Sequence, residues 1–186
     1  MGRPSTAIED LRLLGVRIAF GGLMAGHGAQ KLFGWFGGHG LEGTGGWLES
    51  LGLRPGRKWA IAAGLSEFGG GLLLALGLLN PLGPIGIMAS MTMASLKAHR
   101  TFPIWVNEGG PELPIVYWIG SLALGVAGPG RYSLDRVLGI RMPWPLAALA
   151  GAAAAAGVAL GLRSSQQQPA ATTEAPVDGQ QESASA

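Results

Sequence analysis

Five side chains able to carry charge or exchange protons stand in or beside apolar stretches: His27, Lys31, Glu67, His99 and Glu112. A sixth, Arg17, lies deeper in the first apolar run. Charge inside an apolar run is costly and rarely survives without a partner or a purpose. A carboxylate grouped with imidazoles and amines could hold a quinone head group, bind a small anion or pass protons. The chain has no cysteine, which excludes disulfides, thiol redox chemistry, iron–sulfur ligation and CxxCH haem attachment within it. There is no HxxxH or carboxylate-rich ligand set, so no structural metal is expected. His27 and His99 sit at unequal depths and make a weak haem pair. GGHG, GGG and GPG follow no strand, so they are turn and packing glycines rather than phosphate loops.

The elements that must position these groups are membrane helices. Of 186 residues, 48% are hydrophobic and only 13% charged, with 33 glycines; soluble proteins average about 25% charged. Small residues let packed membrane helices approach closely. A net charge of +2, with basic residues scattered among loops, gives no nucleic-acid footprint. The N-terminal MGRPSTAIED lacks the basic region of a secretory signal. Its match to the myristoylation pattern is read as chance, because a membrane span follows.

The first span covers residues 11–32, with Glu9 and Asp10 favouring its N-terminal turn. At about 100° per residue, Arg17, Gly21, Met24, Gly28 and Lys31 form one stripe, with His27 at its edge and Leu14, Ile18 and Leu23 opposite. Phe33, Trp35 and Phe36 resemble an interfacial aromatic belt. A loop at 37–58 should hold a short interfacial helix through 47–53, capped by Thr44. The second span, 59–79, presents Ala60, Ala63, Gly64, Glu67, Gly70 and Gly71 on one face. After a tight turn at 80–84, the third span covers 85–98, with Gly86, Ser90, Ala94 and Ala98 as a packing stripe and methionines filling around it. A second long loop (101–113) precedes a short fourth span, 114–127, which could begin at Glu112. Ser133 should cap a short helix, with Asp135 in its first turn pairing with Arg131 or Arg136. The Ala-rich residues 144–162 are long enough for a fifth span, and a polar, disordered tail follows.

Short connections make the spans antiparallel neighbours, so both long loops fall at one end. Counting about 1.5 Å per residue then brings His27, Lys31, Glu67, His99 and Glu112 towards one mouth, and leaves Arg17 near the other end as a candidate member of a buried ion pair. A purely structural reading stays open: Glu67 would pair with His27 or Lys31 to join helices, while Lys31, Lys97 and Glu112 snorkel to water.

The HG-x-x-K-L at residues 27–32, the E-x-G-G around Glu67, the E-L at 112–113 and the GPG-x-x-SLD at 128–135, in this order, resemble the DoxX family of small bacterial membrane proteins. The resemblance spans residues 13–140. It implies an all-α, four-helix integral membrane bundle in the bacterial inner membrane, with a cytoplasmic N-terminus. Relatives include the DoxD-type subunit of thiosulfate:quinone oxidoreductases, but fold does not transfer a reaction. The expected domains are a DoxX-like bundle (1–140), an extra membrane helix (141–163) and a disordered tail (164–186). The expected function is a membrane subunit of a redox system, quinone-linked, working with a soluble redox partner in the lipid bilayer, with homo-oligomers open. A non-catalytic anchor or assembly factor for a soluble partner is one alternative, and a small-solute or proton transporter is another; the lack of an internal repeat weighs against the latter.

Overall fold

The computed structural model describes residues 6–164. The polar tail from 165 on and the myristoylation-like start lie outside these residues. Among the described residues the chain is all-helical: α1 (Ala7–Phe33), α2 (Gly40–Ser50), α3 (Gly56–Leu76), α4 (Leu82–Lys97), α5 (Glu112–Ala127), α6 (Leu134–Leu138) and α7 (Trp144–Ser164), with 3-10 turns at Trp35–Gly37 and Val106–Glu108.

A reciprocal capping box starts α1. The Thr6 hydroxyl accepts from Glu9 N–H at 3.3 Å, and Glu9 accepts from Thr6 N–H at 2.7 Å, so two orphan donors of the first turn are satisfied. Gly34, at φ +71°, ends the helix in the left-handed conformation. The expected stripe is the buried face: Arg17, Gly21, Met24 and Gly28 are buried, while Ile18 and Leu23 are exposed.

That face packs on α3, the most extensive helix pair in the chain. A Cβ on Gly21 or Gly71 would strike backbone of the facing helix, and one on Gly28 would strike Phe68 backbone. Main chain therefore meets main chain along this seam. From α3 the packing continues to α4, then from α4 to α5, which returns only a few contacts to α1. Phe20 bridges part of that gap by packing on Tyr117, with ring centroids 4.7 Å apart. Met24, Leu74, Ile87, Met91, Tyr117 and Leu124 fill the centre.

Several boundaries differ from expectation. Helix α2 begins at Gly40, and Thr44 is buried within it rather than capping it. The cause is packing: Gly45 lies against the backbone of Gly56 and Arg57. Helix α4 starts at Leu82 and carries Pro84 in its first turn, where a missing N–H breaks no helical bond.

Asp135 departs from its expected arginine partners. Its carboxylate accepts from Leu79 N–H at 2.8 Å and Asn80 N–H at 3.0 Å, and its own N–H donates to Gly77 O at 3.1 Å. These donors in the α3–α4 turn have no helical acceptor, and buried backbone donors require one. Leu79 holds φ +52°, a left-handed conformation that costs a non-glycine residue about 1–3 kcal/mol, and the carboxylate clamps it there. Ser133 caps α6 as expected, accepting from Arg136 N–H at 3.3 Å.

The same clasp takes in Arg17, which is 1% exposed. Its Nη2 donates to the Tyr132 carbonyl at 2.6 Å, and Asp135 attracts the guanidinium through space. The partner in contact is thus a carbonyl, not a carboxylate. Gly77, at φ +62°, lies so close that a Cβ there would overlap the guanidinium.

Candidate functional site

At the opposite end from this clasp, a cavity of about 420 Å³ opens among α1, α3, α4 and α5, beneath α2 and the 98–111 loop. Glu67 is its buried anchor, with 2% exposure. Its position follows from the small-residue face of α3, which draws that helix against α1 and α4 and carries the carboxylate inward. Lys31, in the last turn of α1, donates to Glu67 Oε2 at 2.5 Å. Ser90 of α4 donates to Oε1 at 2.6 Å. Both carboxylate oxygens are satisfied, one by an ion pair, and three helices are joined at a single group. A buried charge this well compensated can persist in an apolar interior.

The Lys31 side chain is 26% exposed against 3% for Glu67. An ammonium has three donors and no acceptor, so N–H capacity beyond the Glu67 bond points to the cavity. His27 lines the same wall and meets Tyr117 edge-on, with ring centroids 6.0 Å apart. Lys97 and His99 line the mouth, and His99 Nδ1 is 2.6 Å from Gly109 O, which ties the imidazole to the loop. Among the described residues no group of three His, Cys, Asp or Glu is placed to hold a metal ion.

Of the five residues expected at the mouth, His27, Lys31, Glu67 and His99 line one cavity, and Glu112 does not. The Glu112 carboxylate turns outward to accept from Val106 N–H at 2.9 Å, while its own N–H donates to Ile104 O at 2.9 Å. It staples the loop that roofs the site. Sequence reasoning missed Ser90 as a ligand of Glu67, having placed it on a packing stripe. Tyr117 was also missed, and so was α7, whose Ala154, Gly157 and Val158 complete one wall. Four-residue spacing of Ser90 from Gly86 and Ala94 was the available signal for a polar group facing α3.

Among the described residues two helices, Gly56–Leu76 and Trp144–Ser164, are long and apolar enough to cross a membrane, and Glu112–Ala127 is a shorter apolar helix. An all-helical chain of this kind, with a compensated carboxylate inside a mainly apolar cavity, has the make-up of a small helical membrane protein with an internal polar site. The DoxX family model matches residues 12–100, which takes in most of α1, all of α2 to α4, and Lys31, Glu67 and Ser90. A DoxX domain over residues 12–100 supports membership of the DoxX family, whose members are membrane-associated. Neither the curated proteins nor the solved structures contain a significant match.

Proposed function

We propose that this chain is a multi-pass inner-membrane subunit of a redox system that binds a quinone head group in the Glu67 cavity. In this reading α1, α3, α4 and α5 form a four-helix membrane bundle within residues 1–140, and α7 is a fifth crossing. With 16 residues each, α4 and α5 reach about 24 Å. The mouth loops then sit in the interfacial zone, where the exposed Trp35, Phe36, Phe102 and Trp105 are at home.

The observation that carries the reading is the Lys31–Glu67–Ser90 group inside a cavity whose other walls are mostly apolar. Sites for small ligands combine an apolar enclosure of about 300–1,000 Å³ with a few convergent polar groups. A quinone carbonyl is an acceptor, and Lys31 is a donor with capacity to spare. Reduction of a quinone to its quinol takes up two electrons and two protons. A soluble redox partner protein would deliver the electrons, since the chain has no cysteine for thiol or iron–sulfur chemistry. Lys31 and His27 stand where protons can reach the ring oxygens.

Affinity purification in mild detergent tests this directly, with organic extraction of bound quinone and mass spectrometry of partners. Quinone should co-purify with the wild type and be lost from the Lys31→Met/Glu67→Gln variant. Equal amounts in both, or none in either, would remove the basis of the reading.

A further inference from the structure

Helix α7 lies outside the segment that the family model matches, yet it forms part of the cavity wall. Its main packing partner is α4, and Gly161 is its one buried residue among those described. Ala154, Gly157, Val158 and Gly161 share one helical stripe at i, i+3, i+4 and i+7. The stripe is tight at one point and open at another. A Cβ on Gly161 would come within 2.6 Å of Met93 Cε and 2.9 Å of the Trp59 ring, whereas one on Gly157 meets nothing within 4 Å. Gly157 lines the cavity, so the open space before it belongs to the site.

The cavity residues of α4 fall on two sides of that helix. Ser90, Met91 and Ala94 turn towards Glu67 and Tyr117, while Ala89 and Met93 turn towards α7. We call the part of the cavity beside Glu67 and Ser90 its inner lobe, and the part on the α7 side its outer lobe. Trp59, Ala62, Ala89, Met93, Gly157 and Val158 bound the outer lobe.

We infer that the outer lobe holds the hydrocarbon chain of an amphipathic ligand whose carbonyl-bearing ring lies at Lys31 and Glu67, with the open stripe of α7 as the chain's wall. The inference rests on the quinone reading and adds the ligand's chain, its direction and the residue that controls it. Small residues at 154 and 157 leave a groove for a linear chain. The outward face of α7, with Leu149 and Leu160 exposed, borders the lipid from which such a chain would enter.

Gly157→Leu tests this. The new side chain enters open space and improves helix propensity, so the fold is kept while the groove fills. Gly151→Leu, whose Cβ also meets nothing within 4 Å, lies off the cavity and serves as control. Each protein, in the same micelles, is titrated with a tail-free benzoquinone and with the same ring bearing a decyl chain. Comparing proteins at fixed detergent cancels partition of the probe. Gly157→Leu should weaken the decyl probe about tenfold relative to wild type, the equivalent of roughly two methylenes losing burial, and leave the tail-free probe unchanged. Gly151→Leu should match wild type for both. If Gly157→Leu leaves the decyl probe unchanged, or weakens both probes equally, the chain does not lie along α7 and the inference falls while the quinone reading stands. If wild type binds neither probe, both fall.

Discussion

Replacing Lys31 with methionine should destabilise the protein far more than replacing both members of its ion pair. Glu67 is 3% exposed at its side chain and Lys31 26%. In Lys31→Met the carboxylate keeps only Ser90, and stranding a buried charge costs about 3–5 kcal/mol. The lower figure applies here, because the cavity beside Glu67 can admit water. In Glu67→Gln the amide oxygen still accepts from Ser90, and Lys31 can turn its amine towards the mouth; about 1 kcal/mol is expected. Lys31→Met/Glu67→Gln carries no stranded charge, so its loss should also be about 1 kcal/mol rather than the summed ~4. The coupling is then roughly 3 kcal/mol, well above the ~0.3–0.5 kcal/mol within which independent sites add. Reversible unfolding in mixed micelles, followed by circular dichroism, reads all four proteins. A double variant no more stable than Lys31→Met would refute the reasoning, as would additivity of the two single losses.

Asp135→Ala should cost about 3 kcal/mol in the same assay, since two part-buried N–H groups of the α3–α4 turn lose their acceptor at about 1–3 kcal/mol each; a loss below about 0.5 kcal/mol, within the range of an ordinary surface substitution, would contradict the clasp. Gly71→Leu should abolish folded, monodisperse protein, because any side chain there meets the α1 backbone, whereas Gly69→Leu, pointing into open space, should purify normally; size-exclusion profiles compare the two. Ser121→Ala should stabilise by about 1 kcal/mol, because the fully buried Ser121 hydroxyl has no partner and its desolvation penalty disappears with it.

Much of this architecture was legible in the sequence, for specific physical reasons. Helical periodicity alone separates Arg17, Gly21, Met24 and Gly28 from Ile18 and Leu23, and those two sets are the buried and exposed faces of α1. Depth counting along antiparallel helices brings Lys31 and Glu67 to the same mouth because rise per residue is nearly constant. Groups held by main chain were not legible. Arg17 donates to a backbone carbonyl and Asp135 accepts from backbone N–H groups more than fifty residues away, and a carbonyl or an amide has no letter in the sequence. Glu112 failed for the same reason: its rise along the axis is right, but the Val106 amide of the loop captures its carboxylate first. The seat of α7 was hidden by its composition. A run of alanines and glycines is small on every side, so periodicity names no packing face.

The central claim is that the Lys31–Glu67–Ser90 group binds a quinone head group. Trp47 and Trp59 line the cavity, so a bound quinone should quench tryptophan emission. The decisive measurement is a quenching titration with a tail-free benzoquinone, comparing wild type with Lys31→Met/Glu67→Gln, whose fold should be retained. Wild type should show saturable, one-site quenching, and the double variant should need at least about tenfold more quinone, the loss of one charge-assisted hydrogen bond. Linear, unsaturable quenching in wild type, or the same isotherm for both proteins, would contradict the claim.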